Sequence, residues 1–268
     1  MFFHFKRNRA QKAERKPPRF LILKRKWLTL AAAGLAAAAI FAAVNYPAAV
    51  SASTATRQLP IYCVQREDKV VSLSFDAAWG NEDTQQLIDI LNKYGIHATF
   101  FVVGNWVDKY PESVKALADA GNEVMNHSSN HAHFSKLSED EIVADVTACN
   151  QKIAAVTGVT PTLFRCPYGE YDDHVIKAVS STGTTAIQWD VDSLDWKGLS
   201  AKDIQSRVLK NVQPGSIVLF HNAAENTPEA LPGIIESLLA DGYTIVPISQ
   251  LLLTGEYTID HTGRQCPK

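Results

Sequence analysis

The chain has 268 residues, 46% of them hydrophobic and 20% charged, with a formal net charge of -2. This composition is ordinary for a globular protein and excludes a collagen-like, low-complexity or disulfide-scaffold chain. The near-neutral total hides a basic head: residues 1–26 hold ten Lys/Arg against one acid, Glu14, leaving 16 basic and 27 acidic residues in 27–268. The body of the chain is therefore acidic and a poor partner for nucleic acid.

Directly after the basic head comes Trp27 to Val44, 18 residues without a charge. At ~1.5 Å per residue this is just long enough to cross a bilayer as a helix. The Lys24-Arg25-Lys26 cluster predicts that its N-terminal side stays in the cytoplasm and that everything downstream lies outside. The expected layout is a basic cytoplasmic segment (1–26), a single-pass transmembrane signal anchor (27–44) and a small, polar, Pro-containing linker (45–60). The alternative is a secreted protein, cut near Val50-Ser51-Ala52 by signal peptidase; the long basic segment favours the anchor. A folded domain follows over 61–253, large enough for one well-buried core, and a polar tail runs over 254–268.

Within the domain, Lys69 to Phe75 reads as a buried strand ending at Asp76. Asn81 to Tyr94 is an amphipathic helix, and His97 to Val103 a second strand. Pro111 to Ala120 is a helix with Pro in its first turn and Gly121 after its end. Asn122 to Asn126 is a short third strand that runs into His127-Ser128-Ser129-Asn130-His131. Ser138, followed by three acids, caps a long helix. Thr162 to Arg165 is a fourth strand, followed by a helix over 172–182. Thr184 to Trp189 is a fifth strand, running into an acidic loop with Asp190, Asp192 and Asp195, and a helix follows from Ser200 to Val212. Ser216 to Phe220 is a sixth strand, ending at His221. A helix over 228–240 and a strand over 243–246 complete the set. Seven strand–helix alternations predict parallel strands with crossover helices, in a sheet covered on both faces or a closed barrel. No glycine-rich phosphate loop stands at the first strand–helix turn, which disfavours a nucleotide-binding sheet.

Titratable residues then gather at the C-terminal ends of five strands: Asp76; His127 with His131; Arg165; Asp190 with Asp192 and Asp195; and His221. In α/β proteins those ends converge on the functional face. Two imidazoles four residues apart also suit a shared divalent cation. His97 and His133 fall outside this pattern and read as structural or solvated. Asp190 and Asp192 can equally serve loop amides. Of the four cysteines, Cys149 lies on the apolar stripe of its helix and reads as a buried thiol. Cys63 and Cys266 flank the domain, where a disulfide between them is open.

The ordered series FDAAWG, HSSNH, RCPYG, DSLDW and LFH, spread over most of residues 69–253, resembles the five motifs of the NodB-homology polysaccharide deacetylases, carbohydrate esterase family 4. FD-x-x-W-G most resembles the membrane-tethered, sporulation-associated branch. The resemblance implies a distorted (β/α)7 barrel and metal-assisted removal of N-acetyl groups from an amino-sugar polymer of the cell wall, with peptidoglycan the expected substrate. It implies Asp76 as general base, His127 and His131 as metal ligands, Arg165 orienting Asp76, and the Tyr168 N–H holding the oxyanion. Pro167 and Tyr168 would wall the groove, Trp196 and Leu219 would line the acetyl pocket, and Asp195 would tune His221, the general acid. The chemistry suits those roles: a Lewis acid polarises the amide carbonyl, a carboxylate takes a proton from water, and an imidazolium protonates the departing nitrogen.

One departure stands out. The family's first motif usually carries two adjacent aspartates, the second a metal ligand; here that position is Ala77. Two neutral nitrogens favour Zn or a similar late transition ion. Three expectations follow: Asp76 itself ligates, another acid such as Asp192 or Asp83 reaches in, or the metal is held poorly. The last would make the chain a slow enzyme or a non-catalytic glycan-binding protein on the same fold. Hydrolysis of a small-molecule amide is a third reading, since it uses the same groups.

Overall fold

The computed structural model describes residues 34–36 and 57–268. The expected membrane segment and linker therefore lie outside the described residues, apart from a short helical stretch at 34–36 and the last four linker positions. Among the described residues no helix is long and apolar enough to cross a membrane. Residues 57–268 form one compact unit.

All seven strands read from the sequence are present. In chain order the elements are β1 (Cys63–Val64), β2 (Val70–Ala77), α1 (Thr84–Lys93), β3 (Thr99–Val102), α2 (Gly104–Lys109), α3 (Pro111–Asp119) and β4 (Glu123–Asn126). Next come α4 (Glu139–Thr157), β5 (Leu163–Phe164), α5 (Asp173–Ser181), β6 (Thr185–Ala186), β7 (Val191–Asp192), α6 (Ala201–Asn211) and β8 (Ile217–His221). The set closes with α7 (Thr227–Ala240), β9 (Thr244–Ile245), α8 (Ile248–Leu251), β10 (Tyr257–Ile259) and β11 (Arg264–Pro267). The helix signals hold: Ser138 and Glu141 form a reciprocal capping box at the start of α4, and the Ser200 and Asp172 side chains cap α6 and α5.

The main sheet is parallel, in the order β6-β5-β4-β3-β2-β8-β7, with β9 pairing the start of β2. Its two edge strands, β6 and β7, are consecutive in sequence and separated by residues 187–190 alone. So short a connection forces the sheet to curl until its edges approach. Residues 61–64 fill the seam. Ile61 bridges to Ile187, Cys63 bridges to Ser216, and the Val64 N–H donates to the Gly215 carbonyl at 2.9 Å. The sheet is thus a curled parallel half-barrel, closed by a plug of chain rather than by continuous strand pairing.

Period-two alternation along β2 sorts its side chains. Val71, Leu73, Phe75 and Ala77 join the core between sheet and helices, while Ser74 and Asp76 turn to the inside. Phe75 pairs in register with Phe100 and Phe220 on the two neighbouring strands, and the rings stack at centroid distances of 4.7 and 5.4 Å. A second core, with Ile61, Phe101, Ile187 and Ile217, fills the inside of the curl.

Several features differ from the sequence reading, among them the short helix α2 after β3 and the strand β1. β7 emerges inside the acidic loop, because Val191 and Asp192 pair with Val218 and Leu219 of β8. The polar tail is not a loose appendage: β10 and β11 pair antiparallel, and β11 also pairs with β1. Cys63 and Cys266 are both free thiols. The strand register explains this, since Cys63 lies opposite Arg264, two positions from Cys266 and too far along the strand for disulfide geometry.

The seam depends on a glycine. Gly215 sits at φ +84°, and a Cβ there would fall 1.8 Å from the Val64 carbonyl oxygen. Gly215→Ala should therefore destabilise the domain by about 2 kcal/mol or more and lower its melting temperature by several degrees, measured by thermal unfolding. An unchanged melting temperature would show that the seam does not contribute to stability.

Candidate active site

The functional side chains stand at the C-terminal ends of strands or in the loops that follow them. Asp76 and His221 are register partners on β2 and β8, so their Cα atoms are neighbours across one ladder. Asp76 Oδ1 accepts from Arg165 Nη1 at 2.8 Å. Arg165 is fully buried, and its Nη2 donates to Ser74 Oγ at 3.0 Å and to the Gln188 carbonyl at 3.1 Å. Its guanidinium lies over the Phe101 ring at 4.1 Å. Burial would raise the Asp76 pKa, but the Arg165 guanidinium above all, with the His221 imidazolium, outweighs it and holds the carboxyl below its ordinary range.

On the other side, His221 Nδ1 donates to Asp195 Oδ1 at 2.8 Å. Asp195 is held in turn: its Oδ2 accepts from the His221 N–H at 2.8 Å and from Thr227 Oγ1 at 2.7 Å. Burial works against a charged imidazole here. The Asp195 hydrogen bond and the nearby Asp76 charge prevail, and the His221 pKa is raised above its ordinary value.

The two imidazoles of HSSNH are brought together by a loop, not by a helical turn. Ser128 and His131 both adopt positive φ, and Ser128 Oγ accepts from the His131 N–H at 2.9 Å. This folds the loop back until the ring centroids of His127 and His131 lie 5.0 Å apart. Burial keeps both neutral, lowering His127 and taking His131 to about 4. Tyr168 follows Pro167 in a tight turn at φ +58°. Its ring meets the edge of His131 and stacks on His133, whose Nδ1 pairs with Glu170 at 2.9 Å.

These groups surround one cavity of about 400 Å³. Asp76, His127, His131, Tyr168, Trp196, Leu219 and His221 line it, joined by Asp192, Trp79 and Trp189. Arg165 and Asp195 stand behind Asp76 and His221, and Pro167 is buried within the turn that carries Tyr168. Sequence reasoning did not identify Thr227, Ser74 or Gln188 as supports, because nothing local marks a hydroxyl or carbonyl that acts across the barrel. Trp79 and Trp196 are 60% and 58% exposed, so neither is a core packing aromatic.

The donor chemistry suits a cation. A carbonyl only accepts, so the 2.8 Å contact from His127 Nδ1 to the Arg165 carbonyl places the proton on Nδ1 and leaves Nε2 a bare acceptor. That Nε2 faces another acceptor, Asp76 Oδ2, at 3.5 Å. Two facing lone pairs in a buried site favour a positive charge beside them. The set is nevertheless short. Ala77 is 1% exposed in the outer core, and Asp83 and Asp192 are engaged with the backbone N–H groups of Ala223 and Leu194. Among the described residues no group of three or more His, Cys, Asp or Glu side chains is arranged to hold a metal.

Comparison with known proteins identifies the family. Residues 64–187 match the polysaccharide deacetylase family model. The peptidoglycan-N-acetylglucosamine deacetylase of Bacillus cereus is 32% identical over 190 residues, 69% of each chain. The chain belongs to the polysaccharide deacetylase family. Another family member, the peptidoglycan-N-acetylmuramic acid deacetylase PdaC of Bacillus subtilis, is 37% identical over 70% of this chain but only 40% of its own length. This polysaccharide deacetylase homologue thus spans less than half of PdaC. Among solved structures, a CE4 family pseudoenzyme from Bacillus anthracis is 36% identical with a TM-score of 0.69, over 72% of this chain and 68% of that one. A mutant of a CE4 pseudoenzyme described as having restored enzymatic activity is 37% identical, with the same TM-score.

Two outcomes test the site. Arg165→Ala leaves Asp76 buried and unpaired, and should cost about 3–5 kcal/mol of unfolding free energy, read from denaturant titration; a loss under about 1 kcal/mol would show that Arg165 is dispensable. With two imidazoles where an open catalytic zinc site uses three protein ligands, the protein should lose zinc on dialysis against metal-free buffer. One equivalent retained through dialysis, by metal analysis, would reveal a third protein donor.

Proposed function

We propose that this chain removes N-acetyl groups from an amino-sugar polymer of the cell wall, peptidoglycan being the substrate class. The observation that carries the reading is the Asp76–His221 pair. Two strand neighbours face one cavity, each with its own buried partner, and their pKa values are pushed in opposite directions. Such a split is what a base and an acid working on one bond require. The activities named for the Bacillus cereus and Bacillus subtilis relatives support the same substrate class.

In the proposed reaction the amide carbonyl sits between the two groups. Asp76, ionised and oriented by Arg165, takes a proton from the attacking water as its oxygen bonds to the carbonyl carbon. The Tyr168 N–H stabilises the developing oxyanion. His221 delivers its Nε2 proton to the nitrogen, the C–N bond breaks, and acetate leaves a free amine on the sugar. Trp196 and Leu219 hold the methyl group. His127 and His131 would hold a divalent cation, with zinc favoured by their nitrogen donors; when bound it would polarise the carbonyl as a Lewis acid. The basic head and the 27–44 segment would tether the domain outside the cytoplasmic membrane, beside its polymer, as in the sporulation-associated branch.

A second reading is a glycan-binding protein without turnover. Ala77 and the likeness to a pseudoenzyme favour it. Acetate release from N-acetylated oligosaccharides separates the two. For an enzyme, His221→Ala should lose about 10²–10⁴-fold in rate while still binding glycan; wild-type protein that binds and releases no acetate would leave the second reading.

The pH profile carries the signs. Asp76 works deprotonated and its pKa is lowered, so the acidic limb of kcat/KM should lie below the usual carboxylate range. His221 works protonated and its pKa is raised, so activity should persist above ~6.5 and fall as pH rises through the shifted value. Asp195→Asn removes the charge that supports the imidazolium and should move the alkaline limb to lower pH. An alkaline limb that stays in place would exclude His221 as the acid tuned by Asp195.

A further inference from the structure

Trp79 has no part in the mechanism above, yet the fold goes to some length to present it. Its own carbonyl accepts from Asn222 Nδ2 at 3.2 Å, the next carbonyl, of Gly80, accepts from Trp106 Nε1 at 2.8 Å, and the preceding N–H, of Ala78, donates to Asn222 Oδ1 at 3.3 Å. The backbone is pinned on three sides while the indole stands 60% exposed, with one edge against His131 at a centroid distance of 5.5 Å. Trp79, Trp196 and Tyr168, all more than half exposed around one cavity, make an aromatic patch of the kind that marks a contact surface.

Trp79 lines three hollows. One is the active-site cavity. Beyond His221 the ring borders a trough of about 440 Å³ with Trp196, Asn222 and Glu225. It also borders a hollow of about 250 Å³ with Asn105, Lys109 and Tyr110. The two outer hollows differ in charge. The exposed Glu225 carboxylate marks the first. The second has Lys109 as its charged residue, with Nζ lying 4.9 Å from the centre of the Tyr110 ring.

A pyranose ring presents an apolar C–H face and polar edges, which suits an aromatic platform with polar groups at its rim. We propose that Trp79 is a specificity-determining residue that stacks the sugar next to the one being deacetylated, and that the Lys109 hollow receives a carboxylate carried by that neighbouring sugar. The inference rests on the deacetylase reading of the cavity. The substrate is then a glycan strand with carboxylate-bearing amino sugars, and the opposite charges of the two outer hollows select one direction of the strand. An acidic substituent placed on the Glu225 side would meet a like charge.

The test compares two ligands on the full chain: a neutral N-acetylglucosamine tetrasaccharide, and a peptide-free tetrasaccharide alternating N-acetylglucosamine with N-acetylmuramic acid. Binding is measured by titration calorimetry and turnover by acetate release. Trp79→Ala should weaken both ligands about tenfold, and Trp79→Phe should recover most of the loss. Lys109→Glu should weaken the acidic ligand about fivefold or more at low salt and leave the neutral one unchanged. Both side chains are exposed, so thermal unfolding should match wild type. Wild-type affinity in Trp79→Ala, or an equal loss on both ligands in Lys109→Glu, would overturn the proposal. Binding that follows these substitutions without acetate release would overturn the deacetylase reading and leave this one standing; acetate release and affinity indifferent to both would do the reverse.

Discussion

The site depends on strand register, and the register is held by phenylalanine. Phe75, Phe100 and Phe220 stack across three adjacent strands on the outer face. Because side chains alternate, the next residue on each strand must turn inward, and on two of these strands it is Asp76 and His221. A slip of one position would bury the acid and base among the helices and bring aromatic rings into the cavity. The apolar ladder, which has no chemistry of its own, therefore sets the distance between the two groups that do.

The polar interior is arranged so that each reactive group has a fixed partner. Arg165 neutralises Asp76 and is itself satisfied by Ser74 and the Gln188 carbonyl. Asp195 is fixed by four donors, among them the Thr227 hydroxyl and the Trp196 N–H, so it holds the His221 ring without turning. Buried charges of this kind contribute little net stability. What they supply is orientation and opposed proton affinities across one cavity. Position 77 shows the limit of the arrangement. It lies on the outward face, where a methyl group packs well, and the site is left with imidazoles as its uncommitted donors.

Much of this was legible in the sequence because strands with buried faces advertise themselves. The runs before Asp76, Gly104 and His221 are β-branched or aromatic, and each ends at a chemically distinctive residue. What was not legible exists only through partners far away in the chain. β7 is two residues long and lies in an acidic loop; it is a strand because β8 runs beside it. The tail strands are polar and half-exposed, and pairing with β1 orders them. Thr227 reads as the start of a helix, and only the folded chain shows its hydroxyl turned toward Asp195. Ala77 reads in the sequence as a missing ligand, but its place in the outer core depends on the curl of the sheet.

The strand register that keeps Cys63 and Cys266 apart has a practical side. Burial pushes Cys63 to about 11, and Cys149 and Cys166 to about 12, so these thiols are sealed as well as unreactive. Cys266, half-exposed on β11, is the accessible thiol. A maleimide dye would therefore find a single address, and the protein brings its own handle for fluorescence or surface attachment with no engineered residue.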